Sequence, residues 1–209
     1  MPGGAGVSML PRRIVLATGN PGKVREVQAR LANLGVDVIP QSELGVSGAA
    51  EPAATFVENA LLKARHAARE TGLPALADDS GLEVPALHGE PGVRSARYAG
   101  EDAGDRDNIE ALLAAMRGLS GSRRAARFHC LLLFLRHAGD PVPAICDGAW
   151  EGRILEQPRG RGGFGYDPVF LVPELGRTAA ELSPQEKNRI SHRGQALDCM
   201  VAQLRRLAA

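Results

Sequence analysis

The chain has 209 residues, 44% of them hydrophobic, and a formal net charge of +1 at pH 7. That length is enough to bury a core, and the composition is that of an ordinary folded domain, which excludes disordered and fibrous classes. The near-neutral charge and the 4% aromatic content argue against a nucleic-acid partner. The longest apolar run, residues 131–135, is far shorter than the roughly 20 residues that span a bilayer, so we expect no membrane partner.

The cysteines and the N-terminus bear on compartment and domain organisation. Cys130, Cys146 and Cys199 form an odd set without a paired spacing such as C-x-x-C, which argues against a disulfide framework and against a zinc cluster. We therefore expect reduced thiols and a cytoplasmic location. Residues 1–13 are predicted to be a flexible extension, since they begin with a glycine-rich stretch and lack the apolar core of a signal peptide. One domain is expected over residues 14–209.

The first predicted unit is a strand, a loop and a helix. Residues 14–17 form a short apolar run typical of a strand, and apolar residues recur at helical spacing from Val24 to Leu34. The loop between them, residues 18–23, precedes a helix N-terminus, where unpaired N–H groups and the helix dipole attract phosphate. It lacks the spacing of a Walker A loop, and a turn with a solvated Lys23 is the alternative.

A second strand is predicted over residues 36–39, followed by a loop over residues 41–54. Thr55 and Glu58 have the spacing of a capping box, which predicts a helix that runs to Gly72.

Three polar residues surround the start of that helix. Glu51 lies in the preceding loop, and Asn59 and Lys63 are four residues apart on one helix face, so all three can look toward one site. A solvated helix face is the alternative for Asn59 and Lys63.

Two adjacent acids follow the next predicted strand, residues 73–77. Asp78 and Asp79 precede the turn formers Ser80 and Gly81. Carboxylates clustered at the C-terminal edge of a sheet can hold magnesium and can orient or deprotonate water. Because adjacent strand residues point to opposite faces, we expect one acid to serve the site and the other to be structural. A purely structural turn is the alternative.

The second half of the chain predicts a mixed sheet. A helix near residues 108–119 is followed by two strand-like segments, 127–136 and 142–150, joined by a Gly-Asp-Pro turn as in an antiparallel hairpin. A last strand is predicted over residues 168–172. A C-terminal helix with one apolar face, from Leu197 to Leu207, completes the chain.

A glycine-rich segment and a basic cluster complete the candidate site. Phe164 lies between glycines ahead of the last strand, which lets a nucleobase stack on the ring with the backbone close by. Lys187, His192 and Arg193 flank the start of the last helix, where cationic donors can meet phosphate or base oxygens. Taken one at a time, each of these three is more often a surface charge.

Five segments occur together in one order: ATGNPGK (17–23), TFVENALLKA (55–64), ADDSGL (77–82), GGFGYDP (162–168) and SHRGQAL (191–197). In this set the chain closely resembles the inosine triphosphate pyrophosphatase family. The resemblance implies an α/β fold with two lobes around a long central mixed β-sheet, helices on both faces and the active site in the cleft. It also implies a homodimer that hydrolyses non-canonical purine nucleoside triphosphates (ITP, dITP, XTP, dXTP) to the monophosphate and pyrophosphate.

The resemblance further implies roles for single residues. Asp79 would be the proton acceptor and a ligand of Mg²⁺, and Glu51 a second acidic contact to the metal. The residues expected to bind the substrate are Thr18, Gly19, Asn20, Pro21, Gly22, Lys23, Ser80, Phe164, Gly165, Tyr166, Asp167, Lys187, His192 and Arg193. In the mechanism that we expect, Lys23 is catalytic because it neutralises the pyrophosphate leaving group.

Two alternative functions stay open at this point. A pyrophosphatase for pyrimidine or modified nucleotides would make the same kind of products from a different set of substrates. A regulatory module that binds nucleotides without turnover is the second alternative. The acidic set Glu51, Asp78 and Asp79 argues against that module, because without a metal ion it would repel phosphate.

Overall fold

The structure is a computed structural model that describes residues 10–208. It contains one seven-stranded sheet with the order β2-β1-β3-β4-β5-β6-β7. The strands are β1 (Arg13–Ala17), β2 (Asp37–Pro40), β3 (Ala75–Glu83), β4 (Ala125–Leu135), β5 (Ala144–Ile154), β6 (Phe170–Val172) and β7 (Arg177–Thr178). β1 runs parallel to β2 and β3, and every later neighbour in the sheet is antiparallel. The predicted mixed sheet is confirmed.

Within residues 10–208, five α-helices surround the sheet, namely α1 (Pro21–Leu31), α2 (Phe56–Thr71), α3 (Asp105–Ala115), α4 (Pro184–Ile190) and α5 (His192–Ala208). Side chains of α1 and α5 pack with Leu76 on one face, and alanines of α2 pack with Ala75 and Ala77 on the other. This arrangement follows from the alternation of β3 side chains. Among these helices of residues 10–208, none has the length and apolar character that crossing a bilayer would require.

A separate core fills the other end of the sheet. Phe128, Trp150 and Phe170 pack there with apolar residues of α3. The two ends therefore form two lobes that share β3, β4 and β5, as expected. The predicted flexible extension falls mostly on residues 1–9, which lie outside the described residues. Leu10 packs against the α1–α5 side of the core.

β3 is longer than the sequence predicts. Instead of ending before a Ser-Gly turn, it continues to Glu83 because β4 pairs with it throughout, with Asp79 opposite Leu131. Gly81 serves a close approach rather than a turn, since a Cβ there would lie 2.2 Å from the carbonyl oxygen of Gly92. The pairing of β1 with β3 ends at Ala77, so the two acids that follow lie beside the end of β1.

Other elements differ at their ends. α1 begins at Pro21 rather than near Val24, because Asn20 caps it. The hairpin is confirmed, but its second strand begins at residue 144 rather than 142, since Asp140 binds both Arg136 and the N–H of Val142 in the connection. The short helix α4, which starts with a capping box at Ser183, is absent from the sequence prediction.

Cys146 of β5 and Cys199 of α5 form a disulfide, so the expectation of reduced thiols is wrong for this pair. The two residues are 53 positions apart and come together because α5 packs on β5, which their spacing in the sequence does not reveal. Cys130 is free and buried. Burial raises the pKa of its thiol above the ordinary value.

Candidate active site

Two pockets adjoin in the cleft between the lobes, around the loop that follows β1. One, here called the aromatic pocket, is defined by Phe128, Phe164, Tyr166, Lys187, His192 and Arg193. The other, here called the polar pocket, is defined by Thr18, Gly19, Glu51, Lys63, Asp79 and Arg97. Asn20, Lys23 and Ser80 line both pockets and form the wall between them.

Most of the predicted site residues line one of these pockets. The aromatic pocket also takes Gly165 and Asp167, and the polar pocket takes Thr18, Gly19 and both predicted metal ligands. Pro21 and Gly22 line neither pocket. Gly22 instead packs against the ring of Phe164, where an added Cβ would lie 2.6 Å from the ring.

The N-terminus of α1 does not present the unpaired N–H groups that the sequence suggested. Oδ1 of Asn20 accepts hydrogen bonds from the backbone N–H groups of Gly22 and Lys23, at 2.8 and 3.2 Å. Pro21 has no N–H group. Thr18 Oγ1 accepts from the N–H of Asn20 at 3.2 Å, which fixes the loop. Positive charge for an anion must therefore come mainly from side chains.

Asp78 points to the face of β3 that α1 and α5 cover. Its Oδ1 lies 2.6 Å from Nζ of Lys23, and its Oδ2 lies 2.6 Å from Nε of Arg193. Ser80 donates a further hydrogen bond to this carboxylate. Burial by itself would raise the pKa of Asp78, but the two cations outweigh it and hold the pKa well below its ordinary value. Asp78 is thus an ionised carboxylate that orients its neighbours.

Asp79 points to the opposite face, toward α2. Nζ of Lys63 lies 2.6 Å from its Oδ1 and also donates to the backbone oxygen of Asp78 at 2.9 Å. Oδ2 of Asp79 is buried and has no hydrogen-bond partner among residues 10–208. Burial raises the pKa of Asp79 although Lys63 opposes the shift. A carboxylate with a raised pKa and an unused oxygen is suited to accept a proton.

The acidic side chains of the polar pocket suit a cation that is bound together with phosphate. Glu51 Oε1 lies 3.4 Å from Nζ of Lys63, the same ammonium that binds Asp79. In the described part of the chain, no group of three or more His, Cys, Asp or Glu residues forms a ready metal cage. Mg²⁺ is commonly held by one or two carboxylates plus substrate phosphates, so the carboxylates of Glu51 and Asp79, which line the same pocket, fit this ion.

Asn59 and Lys63 are both buried, so the alternative of a solvated helix face is wrong for both. The Asn59 amide does not reach the pockets. It binds the loop before α2, accepting from the N–H of Ala53 at 3.0 Å and donating to its carbonyl oxygen at 3.2 Å. This double contact fixes the backbone two residues after Glu51.

The aromatic pocket combines ring surfaces with positive charge. Lys187 Nζ lies 4.6 Å from the centroid of the Phe164 ring, and Arg193 Cζ lies 5.5 Å from it. The His192 ring stacks on Phe128 at 4.7 Å, and its Nδ1 is buried with no partner among residues 10–208. Burial, followed by the nearby Arg193 and Lys187, lowers the pKa of His192 well below its ordinary value. His192 is therefore neutral at pH 7.

Sequence reasoning missed several residues around the site, including Glu26 and Arg97. Glu26 Oε2 lies 2.7 Å from Nη1 of Arg193, and Glu26 Oε1 lies 3.8 Å from Nζ of Lys187. Its position three residues after Lys23 on α1 was a usable signal, because that spacing places both on one helix face. Arg97 follows no periodic pattern, so the sequence held no comparable signal for it.

The comparison with known proteins agrees with the motifs. A sequence profile of the Ham1 family matches residues 14–203. The chain is 60% identical over 194 residues to a dITP/XTP pyrophosphatase of Yersinia pseudotuberculosis, covering 93% of this chain and 98% of that protein. It is 58% identical, over the same shares, to a dITP/XTP pyrophosphatase of Pectobacterium atrosepticum. The solved structure of a HAM1 protein from Coxiella burnetii superposes with a TM-score of 0.87 at 52% identity, covering 94% of this chain and 100% of that chain. The chain belongs to the Ham1 family.

Proposed function

We propose that the protein hydrolyses non-canonical purine nucleoside triphosphates (ITP, dITP, XTP and dXTP) to the monophosphate and pyrophosphate, which keeps these nucleotides out of DNA and RNA. One observation carries the proposal: Asp79, whose Oδ2 is buried and has no hydrogen-bond partner among residues 10–208, lines a polar pocket that shares a wall with an aromatic pocket. The names of the relatives from Yersinia pseudotuberculosis and Pectobacterium atrosepticum support the same activity.

The shared wall sets the orientation of the substrate. The purine base occupies the aromatic pocket, where the Phe164 ring offers a stacking surface. The phosphates pass Asn20, Lys23 and Ser80 and enter the polar pocket. Thr18 and Gly19 lie beside the triphosphate in that pocket. The remaining predicted residues around the base are Gly165, Tyr166, Asp167, Lys187, His192 and Arg193.

Chemistry takes place at the α-phosphorus. A water molecule attacks it in line, its proton passes to Asp79, the bond to the bridging oxygen breaks and pyrophosphate leaves. Lys63 fixes the Asp79 carboxylate through Oδ1, which leaves Oδ2 for the proton. Lys23 reduces the negative charge that develops on the leaving group. Asp79 and Glu51 would hold Mg²⁺, which would supply further neutralisation of phosphate charge.

Selectivity for the base comes from hydrogen-bond donors in the aromatic pocket. Arg193 binds Asp78, Glu26 and Ser80 through three of its five N–H groups, so two stay unused. Lys187, with three donors, pairs with Asp167 and Glu26 and keeps at least one. A purine with a keto oxygen at C6 accepts from such donors, whereas the amino group of adenine would meet them donor to donor. We therefore expect rejection of ATP and dATP.

The proposal includes a homodimer, as the family resemblance implies, and keeps the cytoplasmic location expected from the sequence. Light scattering on the purified protein would then give twice the chain mass of 22.0 kDa. A monomer at micromolar concentration would contradict this part alone.

A nucleotide panel tests the activity. Purified protein is incubated with ITP, dITP, XTP, dXTP, the canonical triphosphates and modified pyrimidine nucleotides, with and without Mg²⁺, and pyrophosphate is scored separately from orthophosphate. We expect pyrophosphate from the hypoxanthine and xanthine nucleotides only, and only with the metal. Orthophosphate as the first product would overturn the proposed bond cleavage. Turnover restricted to pyrimidine nucleotides would favour the first alternative, and binding without turnover the second.

A further inference from the structure

Arg97 is a third cation of the polar pocket, beside Lys23 and Lys63. It comes from a different part of the chain, a 3-10 segment over residues 92–97 that follows β3. Its side chain is 22% exposed, so the guanidinium group borders the pocket without being fully enclosed.

The segment is held firmly against β3. Ser95 Oγ accepts from the N–H of Leu82 at 2.8 Å and donates to the carbonyl oxygen of Gly92 at 2.6 Å. The absence of a side chain at Gly81 lets Gly92 come this close. Arg97 Nη2 in turn donates to the backbone oxygen of Glu51 at 2.9 Å. These contacts place the guanidinium beside the loop that carries the predicted metal ligand.

The other positive groups of the pocket already have partners. Lys23 pairs with Asp78, and Lys63 pairs with Asp79, each at 2.6 Å. The N–H groups at the start of α1 bind Asn20. The acidic contact of Arg97 is much weaker: Glu101 lies 3.6 Å away and its side chain is 82% exposed, so solvent screens the pair.

We propose that Arg97 binds the β- and γ-phosphates of the substrate, and hence the pyrophosphate product, through N–H groups that its bond to Glu51 leaves unused. A guanidinium fork matches pairs of phosphate oxygens and suits a multiply charged tail better than a lysine ammonium does. The inference rests on the proposed function, since it assigns the tail to the polar pocket.

Binding of the products separates this role from a general structural one. Pyrophosphate and dIMP are titrated separately by calorimetry, in the presence of Mg²⁺, into the wild-type protein, Arg97→Gln, Arg97→Lys and the control Arg94→Gln. Arg94 is exposed on the same segment. We expect Arg97→Gln to lose about 10- to 100-fold in pyrophosphate affinity and to keep its dIMP affinity, which is the effect of removing a charge-assisted contact. Arg97→Lys should recover part of the loss, and Arg94→Gln should bind both ligands as the wild type does.

Wild-type pyrophosphate affinity in Arg97→Gln would overturn the inference. So would a shift in the Mg²⁺ half-saturation of that variant without a loss of pyrophosphate affinity, because Arg97 would then only position the Glu51 loop. If Arg97→Gln fails to fold, NMR of the unaltered protein decides: the Nε–H resonance of Arg97 must move on addition of pyrophosphate and stay in place with dIMP. If the wild type binds pyrophosphate through Arg97 but releases none from any triphosphate, the proposed function fails while this inference stands.

Discussion

Arg193 Nε lies 2.6 Å from Asp78 Oδ2, and both side chains are almost fully buried, at 2% and 0% exposure. This ion pair joins the start of α5 to the middle of β3, next to the wall between the two pockets. Lys23 shares the same carboxylate from α1. Asp78 therefore holds two cations of the pockets in place, and Asp79, the residue that we propose as the proton acceptor, lies on the other face of β3.

Asp78→Asn should destabilise the protein at pH 7 by about 3–5 kcal/mol, because it leaves buried Arg193 and Lys23 without a compensating charge. Urea unfolding measures the change. Asp37→Asn is the control, since Asp37 pairs with Arg13 across 3.8 Å and both side chains are more than half exposed. Equal stability losses in the two variants would show that the buried pair has no special weight.

Asp78→Asn should also change how the free energy of unfolding depends on pH in acid. The pKa of Asp78 lies well below 3.8 in the folded protein, so its contribution to stability is complete above pH 3.8 and is lost as the pH falls below that value. Asp78→Asn should therefore lose stability less steeply below pH 3.8, by up to about 1.4 kcal/mol per pH unit. Parallel curves of the free energy of unfolding from pH 5 to pH 2 would contradict the assignment.

The alternation of side chains along β3 explains which features of this site could be predicted from the sequence. Asp78 and Asp79 are neighbours in one strand, so their position on opposite faces was predictable from strand geometry alone. The sequence could not predict which of the two acids faces which helix, because that depends on the side of the sheet that each helix covers. The length of β3 could not be predicted either. Ser80 and Gly81 locally favour a turn, whereas in the structure β4 pairs with β3 along its whole length, including these two residues.

Long-range contacts account for the other differences. The disulfide of Cys146 with Cys199 and the approach of Arg97 to Glu51 join segments that are distant in sequence. The capping of α1 by Asn20 is local, and an Asn ahead of Pro at a helix start is a recognisable N-terminal signal.

Asp79→Asn should reduce turnover of dITP by about 10²- to 10⁴-fold, which is the usual contribution of a positioned general base. The fold should be retained, as circular dichroism would show, because the amide fits the same space. Asp102→Asn, at an exposed position outside both pockets, is the control and should keep full activity. Wild-type turnover in Asp79→Asn would remove this residue from the proposed role.

His192 should stay neutral well below pH 6.5. Burial and the neighbouring Arg193 lower its pKa in the folded protein, whereas the unfolded chain takes up a proton near pH 6.5. The stability that depends on neutral His192 is thus present above pH 6.5 and is lost as the pH falls below it. Two-dimensional NMR of the imidazole resonances should show no titration of His192 between pH 8 and pH 5.5. His192→Asn should also flatten the pH dependence of unfolding in that range, and a His192 midpoint near pH 6.5 would contradict the argument.

Asn59→Ala should loosen the loop that carries Glu51. The variant removes two part-buried hydrogen bonds to the backbone of Ala53, each of which contributes about 0.5–1.5 kcal/mol. With the loop less ordered, the Mg²⁺ concentration that gives half-maximal turnover should rise. The affinity for dIMP, whose base we propose to lie in the aromatic pocket, should stay the same. Urea unfolding and a metal titration of activity measure the two effects, with the exposed Arg69→Ala on the same helix as the control. A stability loss without any change in the metal titration would mean that Asn59 supports the fold and that the position of Glu51 does not depend on it.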